Sequence, residues 1–68
     1  MNETSELIKD LLANPEWDHL DIDFAMHPDA YISIDRYIDY KHGFIIAQDG
    51  DTTIYIDPDK IVTITPRQ

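Results

Sequence analysis

The chain has 68 residues, of which 43% are hydrophobic, so we expect one domain spanning residues 1–68 with a small core. It contains no cysteine, which excludes disulfide bonds and thiolate metal sites. No apolar run approaches the roughly 18 residues of a membrane span, and no basic-then-apolar leader opens the chain. We therefore expect a soluble cytoplasmic protein that makes no membrane contact.

The charge is strongly one-sided. Fourteen acidic residues outnumber five basic ones, giving a formal net charge of −9. Between Asp10 and Asp39 there are eight acids and a single base, Arg36. Such a field repels nucleic acid and anionic membrane, and it speeds the encounter with basic proteins. The alternative interpretation is that the charge only keeps the protein soluble.

The N-terminal segment predicts an amphipathic helix over about 3–13. Its apolar residues recur at helical spacing on one side: Leu7, Ile8, Leu11 and Leu12. Asn2, Thr4 and Ser5 are all suitable N-caps. Asn14-Pro15 predicts the end of the helix, because the residue before proline avoids helical geometry.

The next segments alternate between apolar and polar residues, which is typical of strands. In the predicted strand 20–24, Leu20, Ile22 and Phe24 face the core, and Asp21 and Asp23 face outward. The predicted strand 30–40 has an apolar face formed by Ile32, Ile34, Ile38 and Tyr40. Its opposite face is formed by Tyr31, Ser33, Asp35, Tyr37 and Asp39. Arg36 interrupts the apolar face and indicates a bulge, a sheet end or a buried ion pair.

A hairpin is predicted by strands 43–48 and 52–57 around an Asp-Gly turn. A loop at 49–50 would place Ile45 opposite Ile54, whereas a loop at 50–51 would place Ile45 opposite Ile56. Both registers put Ile45, Ala47, Ile54 and Ile56 on one face. A short turn then leads to a last strand, 61–65. The predicted fold class is α+β, with the helix packed on a strongly twisted antiparallel sheet of four to five strands, or on a partly open barrel.

The segment from Ile54 through Pro58-Asp59-Lys60 to Pro66 resembles the last two strands of bacterial Sm-like RNA chaperones, and small SH3-like barrels generally. That resemblance implies a bent five-stranded sheet behind an N-terminal helix. The Lys-His pair that follows the tyrosine in the bacterial family is replaced here by Ile56-Asp57. Because phosphate binding needs basic residues, we do not expect direct nucleic-acid binding. The alternative function implied is a self-assembling structural or adaptor protein, hence a possible homo-oligomer.

By its size and charge the chain also resembles small acidic phage-encoded DNA mimics, which inhibit host proteins by occupying their DNA-binding surfaces. Residues i and i+2 on a strand lie roughly 6–7 Å apart, comparable with neighbouring phosphates. The resemblance implies a basic, histone-like DNA-binding host protein as partner, and outward tyrosines would supply the apolar centre of the interface. The residues expected to bind it are Glu16, Asp18, Asp21, Asp23, Asp29, Tyr31, Asp35, Tyr37 and Asp39.

Motifs for catalysis and cofactor binding are absent from the sequence. Gly43 and Gly50 are the only glycines, so no phosphate-cradling loop is possible, and no nucleophile occurs in a recognisable motif. His19, His27 and His42 lack metal-ligand spacing. Asp49-Gly50-Asp51 lacks the further acids of a calcium loop. We expect a protein that is not an enzyme and that needs no metal or cofactor.

Overall fold

A computed structural model describes residues 2–68, apart from the side chains of residues 27–29. One helix, α1 (Glu3–Ala13), precedes six strands. The strands are β1 (His19–Phe24), β2 (His27–Ile34), β3 (Arg36–Lys41), β4 (Phe44–Asp49), β5 (Thr52–Ile56) and β6 (Ile61–Arg67). They form two antiparallel sheets, sheet A in the order β2-β1-β6 and sheet B in the order β3-β4-β5. The α+β class and the N-terminal helix are confirmed, but the prediction of a single sheet of four to five strands is wrong.

Helix α1 is capped at its N-terminus by Asn2, whose Oδ1 accepts a hydrogen bond from the Ser5 amide at 3.1 Å. This cap satisfies one of the free amides of the first turn. The buried side chains of the helix are Ser5 and Ile8, whereas Leu7 is 50% exposed. The predicted apolar side of the helix is therefore wrong at Leu7, because the helix turns Ser5 toward the core. Within the described chain no helix combines the length and hydrophobicity needed to cross a bilayer.

The predicted strand 30–40 is two strands that belong to different sheets. Asp35 is the single residue between β2 and β3, and its amide donates to the Gln48 carbonyl of β4 at 2.9 Å. The chain thus leaves sheet A and enters sheet B with the amide of the corner residue hydrogen-bonded. Arg36 is the exposed first residue of β3. Among the three alternatives for Arg36, the structure therefore favours the sheet end.

Both hairpins of sheet B close through two-residue turns. Asp49 pairs with Thr52 and Ile45 with Ile56, so the loop is Gly50-Asp51, the second of the two predicted registers. Lys41 pairs with Phe44 across His42-Gly43, where φ is +55° and +81°. Two consecutive positive φ values are typical of the type I′ turn that suits hairpin twist. The sequence prediction assigned 41–43 only as a break between strands.

One core lies between the two sheets and the helix. Its buried residues come from α1 and from both sheets: Ile8, Leu20, Ile22, Ile34, Ile45, Ala47 and Ile56. The β5–β6 connection is a single 3₁₀ turn, Pro58–Lys60, which Asp57 caps by accepting from the Asp59 amide at 3.0 Å. Strand β6 then returns to pair with β1 along its whole length. Strand β1 is thereby held on both sides, and this fixes which of its side chains face outward.

Candidate protein-binding surface

The outer face of sheet A is built around the alternation of β1. Leu20 and Ile22 are fully buried, so the intervening residues face away from the core. Asp21 lies between Ser33 of β2 and Thr65 of β6, and Asp23 lies between Tyr31 and Thr63. We call this surface the acidic face, defined by Asp21, Asp23, Tyr31, Ser33, Thr63 and Thr65. It brings together three of the residues predicted to bind a partner.

Asp21 is held in place by three neighbouring side chains, one from each strand of sheet A. Ser33 Oγ donates to Asp21 Oδ1 at 2.8 Å, and Arg67 Nε donates to Asp21 Oδ2 at 3.0 Å. His19 Nε2 lies 3.6 Å from Oδ1. The pKa of Asp21 is lowered mainly by the Ser33 hydrogen bond, and further by Arg67 and by the positive charge that His19 can carry. Desolvation of the carboxylate opposes this shift. Asp21 is therefore ionised at neutral pH, with a fixed orientation and a partly compensated charge.

Asp23 and Tyr31 are less constrained. Among the described side chains none forms an ion pair or a side-chain hydrogen bond with Asp23. Tyr31, directly across the ladder, is 62% exposed. Asp23 thus offers an uncompensated carboxylate beside an exposed aromatic ring.

Two further predicted residues lie in the connection between α1 and β1. Asp18 is 80% exposed at its side chain, and its Oδ2 lies 3.4 Å from His19 Nδ1. Its amide donates to the Arg67 carbonyl at 2.7 Å. His19 therefore lies between Asp18 and Asp21, which places Asp18 at the margin of the acidic face. Glu16 is exposed, with its amide bonded to Asn14 Oδ1 at 2.9 Å.

The structure does not place Asp35, Tyr37 and Asp39 with this group, because Asp35 is the corner itself and Tyr37 and Asp39 belong to sheet B. Asp35 and Arg36 are both exposed, so the inward and outward faces are exchanged at the corner. The β3–β4 register shifts between Tyr37 and Asp39, so Ile38 is bulged and 45% exposed, and the original faces return after the bulge. Between the corner and the bulge, Tyr37 consequently packs against the core, and its hydroxyl lies 2.9 Å from Ser5 Oγ. The predicted outward position of Tyr37 is wrong.

The two acids of this group have local partners of their own. Asp35 Oδ1 accepts from the Gly50 amide at 3.4 Å, near the tip of the β4–β5 hairpin. Asp39 accepts from the Tyr40 amide at 2.7 Å and lies 3.6 Å from Lys41 Nζ. The predicted row of carboxylates along strands 20–24 and 30–40 is therefore divided between two sheets. Asp29 lies in β2, and its side chain is outside the described residues.

A groove between α1 and β3 has no counterpart in the sequence prediction. It encloses about 610 Å³ and carries charges of both signs, from Lys9 and Arg36 and from Glu6, Asp35 and Asp39. Its mixed charge makes it distinct from the acidic face. Within the described residues no cluster of three or more His, Cys, Asp or Glu side chains could hold a metal ion.

No protein-family model, curated protein or solved structure matches the chain. The resemblances to Sm-like barrels and to DNA mimics thus stay as predictions.

Proposed function

We propose that this protein is an acidic, non-enzymatic binding module of the cytoplasm, and that it acts as a DNA mimic which inhibits a basic, histone-like host protein. The observation that supports this most is the arrangement of Asp21, Asp23 and Tyr31 on one sheet face. Two carboxylates separated by one residue along a strand lie roughly 6–7 Å apart. Lysine and arginine side chains that bind successive phosphates would find a similar spacing here.

The remaining charge of the surface favours the same class of partner. Ion pairs among the described residues involve only three of the acids, Asp18, Asp21 and Asp39. With a net charge of −9, the molecule carries a negative field that accelerates association with a basic surface at low salt. Direct nucleic-acid binding is disfavoured by the same field.

The two aspartates of the acidic face contribute differently. Asp21 is anchored by Ser33 and Arg67, so little side-chain entropy is lost when a partner approaches it. Asp23 has no such anchor, and no basic side chain among the described residues pairs with it. We expect Asp23 to supply most of the attraction, with Tyr31 providing the apolar contact that hot spots of protein interfaces require.

The scaffold that presents this face is proposed to be a partly open, SH3-like barrel. Support comes from the chain passing between sheets at Asp35, from the 3₁₀ turn Pro58–Lys60, and from the return of β6 to β1. Such a scaffold fixes β1 between two neighbours, and sites on strands are held more rigidly than sites on loops.

The experiment that tests this function is capture from bacterial lysate by the tagged protein, at about 50 mM and about 500 mM salt, since screening weakens contacts between exposed charges. We expect basic DNA-binding proteins to be retained at low salt, to persist after nuclease treatment and to be displaced by added duplex DNA. Retention that duplex DNA does not displace would contradict mimicry. If no basic protein is enriched, the charge serves solubility and the proposed function is wrong.

A further inference from the structure

The two sheets leave four strand edges, and these differ in how they resist pairing with another chain. Strand β3 carries Arg36, Asp39 and Lys41 and contains the bulge at Ile38. Strand β6 contains Pro66, which lacks an amide hydrogen. Strand β2 contains Pro28 in its sequence. Charges, prolines and bulges are the usual devices that keep an edge strand from pairing.

Strand β5 has none of these devices. It reads Thr-Thr-Ile-Tyr-Ile from Thr52 to Ile56, with no charge and no proline, and its register with β4 is uninterrupted. It also forms an edge of sheet B. Charged residues make up 28% of the chain, yet β5, the most regular of the edge strands, contains none. An edge of this kind is a template for another strand.

We propose that β5 pairs with β5 of a second copy of this chain, antiparallel and about a two-fold axis, so that the two sheets B become one six-stranded sheet. Asp49 and Thr52 flank a two-residue loop and form a hydrogen-bonded pair. By the alternation of antiparallel ladders, the free N–H and C=O groups of β5 then belong to Thr53 and Tyr55.

These free groups are self-complementary. In a two-fold pairing centred on Ile54, Thr53 of one copy lies opposite Tyr55 of the other, and the same pair recurs across the axis. Each pair exchanges two backbone hydrogen bonds, so the contact satisfies the free groups of both residues in both copies. A strand with acidic side chains would gain less from the same edge, because it would bring charge into a contact that two copies of β5 make without any.

The side chains beside the edge add apolar surface to the contact. Tyr55 is 65% exposed, and Ile54 lies in a groove of about 330 Å³ whose other apolar walls include Phe24, Met26 and Ile32. Pairing on β5 would bring Ile54 of both copies together next to the two grooves. Removal of this apolar surface from water favours the dimer.

Charge makes the proposal testable separately from the proposed function. Two copies, each with a net charge of −9, repel each other at long range. A contact through the uncharged β5 adds no further repulsion at short range. Added salt screens this repulsion, so it should strengthen self-association, whereas it should weaken binding to a basic partner.

The experiment is sedimentation equilibrium of the whole chain from about 10 µM to about 1 mM, at low and high salt. We expect a concentration-dependent mass that approaches twice the monomer mass of 7.9 kDa and rises with salt. Hydrogen exchange of the wild-type protein should show that the amides of Thr53 and Tyr55 gain protection over the same concentration range. A monomeric mass throughout, a larger closed ring, or protection elsewhere but not at these two amides would overturn the proposal.

A matched pair of variants locates the contact. Thr53 and Thr63 are both exposed threonines on edge strands, of sheet B and sheet A respectively. Thr53→Lys places two positive charges near the axis and should weaken the dimer about tenfold or more. Thr63→Lys makes the same change beside Asp23 and should leave the dimer unchanged while weakening the capture of basic proteins. Equal effects of both variants on the dimer would contradict the assignment to β5.

Discussion

The two sheets share one core but use their surfaces differently. Sheet A concentrates carboxylates on its central strand, whose backbone is held by both neighbouring strands. Sheet B places its charges on β3 and at the hairpin ends, and its edge strand β5 is uncharged. A small acidic protein can therefore keep an electrostatic surface and a neutral surface apart, provided that each belongs to a different sheet.

The largest expected effect comes from the core that unites the sheets. Ile22 of sheet A and Ile45 of sheet B are both fully buried, so Ile22→Ala and Ile45→Ala should each cost about 2–5 kcal/mol in free energy of unfolding. Chemical denaturation measures both. Val62→Ala, at a side chain 66% exposed, is the control and should change the stability by less than about 0.5 kcal/mol. A much smaller loss at either isoleucine would mean that the sheets do not share a core.

The hydrogen bond between α1 and sheet B should have the next largest effect. Tyr37→Phe removes the hydroxyl that bonds to the buried Ser5 Oγ, and an unpaired buried hydroxyl costs about 1–3 kcal/mol. Ser5→Ala in the Tyr37→Phe background should then restore part of the loss, because no buried hydroxyl remains. Denaturation of the four proteins in a double-mutant cycle measures the coupling. A coupling near zero would show that the helix does not depend on this bond.

A substitution in the turn between β3 and β4 should have a smaller effect on stability, and the turn belongs to sheet B alone. At Gly43 φ is +81°, which strains any side chain with a Cβ atom. Gly43→Ala should therefore cost about 1 kcal/mol of stability, whereas Gly43→Asn should cost less, because asparagine tolerates this conformation. Thermal denaturation compares the two. A Cβ atom at this position would meet no neighbour within 4 Å, so equal losses would contradict the role given to the positive φ.

The smallest effect concerns the pH dependence of the acidic face. The pKa of Asp21 is lowered in the folded protein, mainly by the Ser33 hydrogen bond. Its contribution to stability is therefore present above the unfolded pKa of about 3.9 and is lost as the pH falls through the lower folded pKa. Denaturation midpoints across this acidic range should fall more steeply for the wild type than for Asp21→Asn. Parallel curves would contradict the proposed role of Ser33 and Arg67.

The sequence predicted the features that depend on local pattern. The helical spacing of Ile8, the alternation around Ile22 and the turn after Asp49 each determine structure over a few residues. The structure shows the helix, the burial of Ile22 and one of the two predicted hairpin registers.

The features that were missed depend on tertiary structure. Asp35 is a corner because the chain changes sheets there, and nothing in the alternation of residues 30–40 marks the change. The faces are exchanged between that corner and the bulge at Ile38, so Tyr37 turns inward to meet Ser5 of the helix, a contact between residues far apart in sequence. The predicted row of carboxylates failed because Asp35 is the corner and Asp39 belongs to sheet B. His42-Gly43 is a signal that could have been found, since glycine at the second position is compatible with a type I′ turn.

The most direct test of the central claim compares two charge reversals of equal size. Asp23→Lys and Asp59→Lys change the net charge equally, but only Asp23 lies on the acidic face, and Asp59 is exposed in the 3₁₀ turn. The amount of basic DNA-binding protein that each variant captures from lysate at low salt is measured against the wild type. We expect about a tenfold loss or more for Asp23→Lys and only a small loss for Asp59→Lys. Equal losses would show that net charge alone governs binding and that the acidic face is not the site.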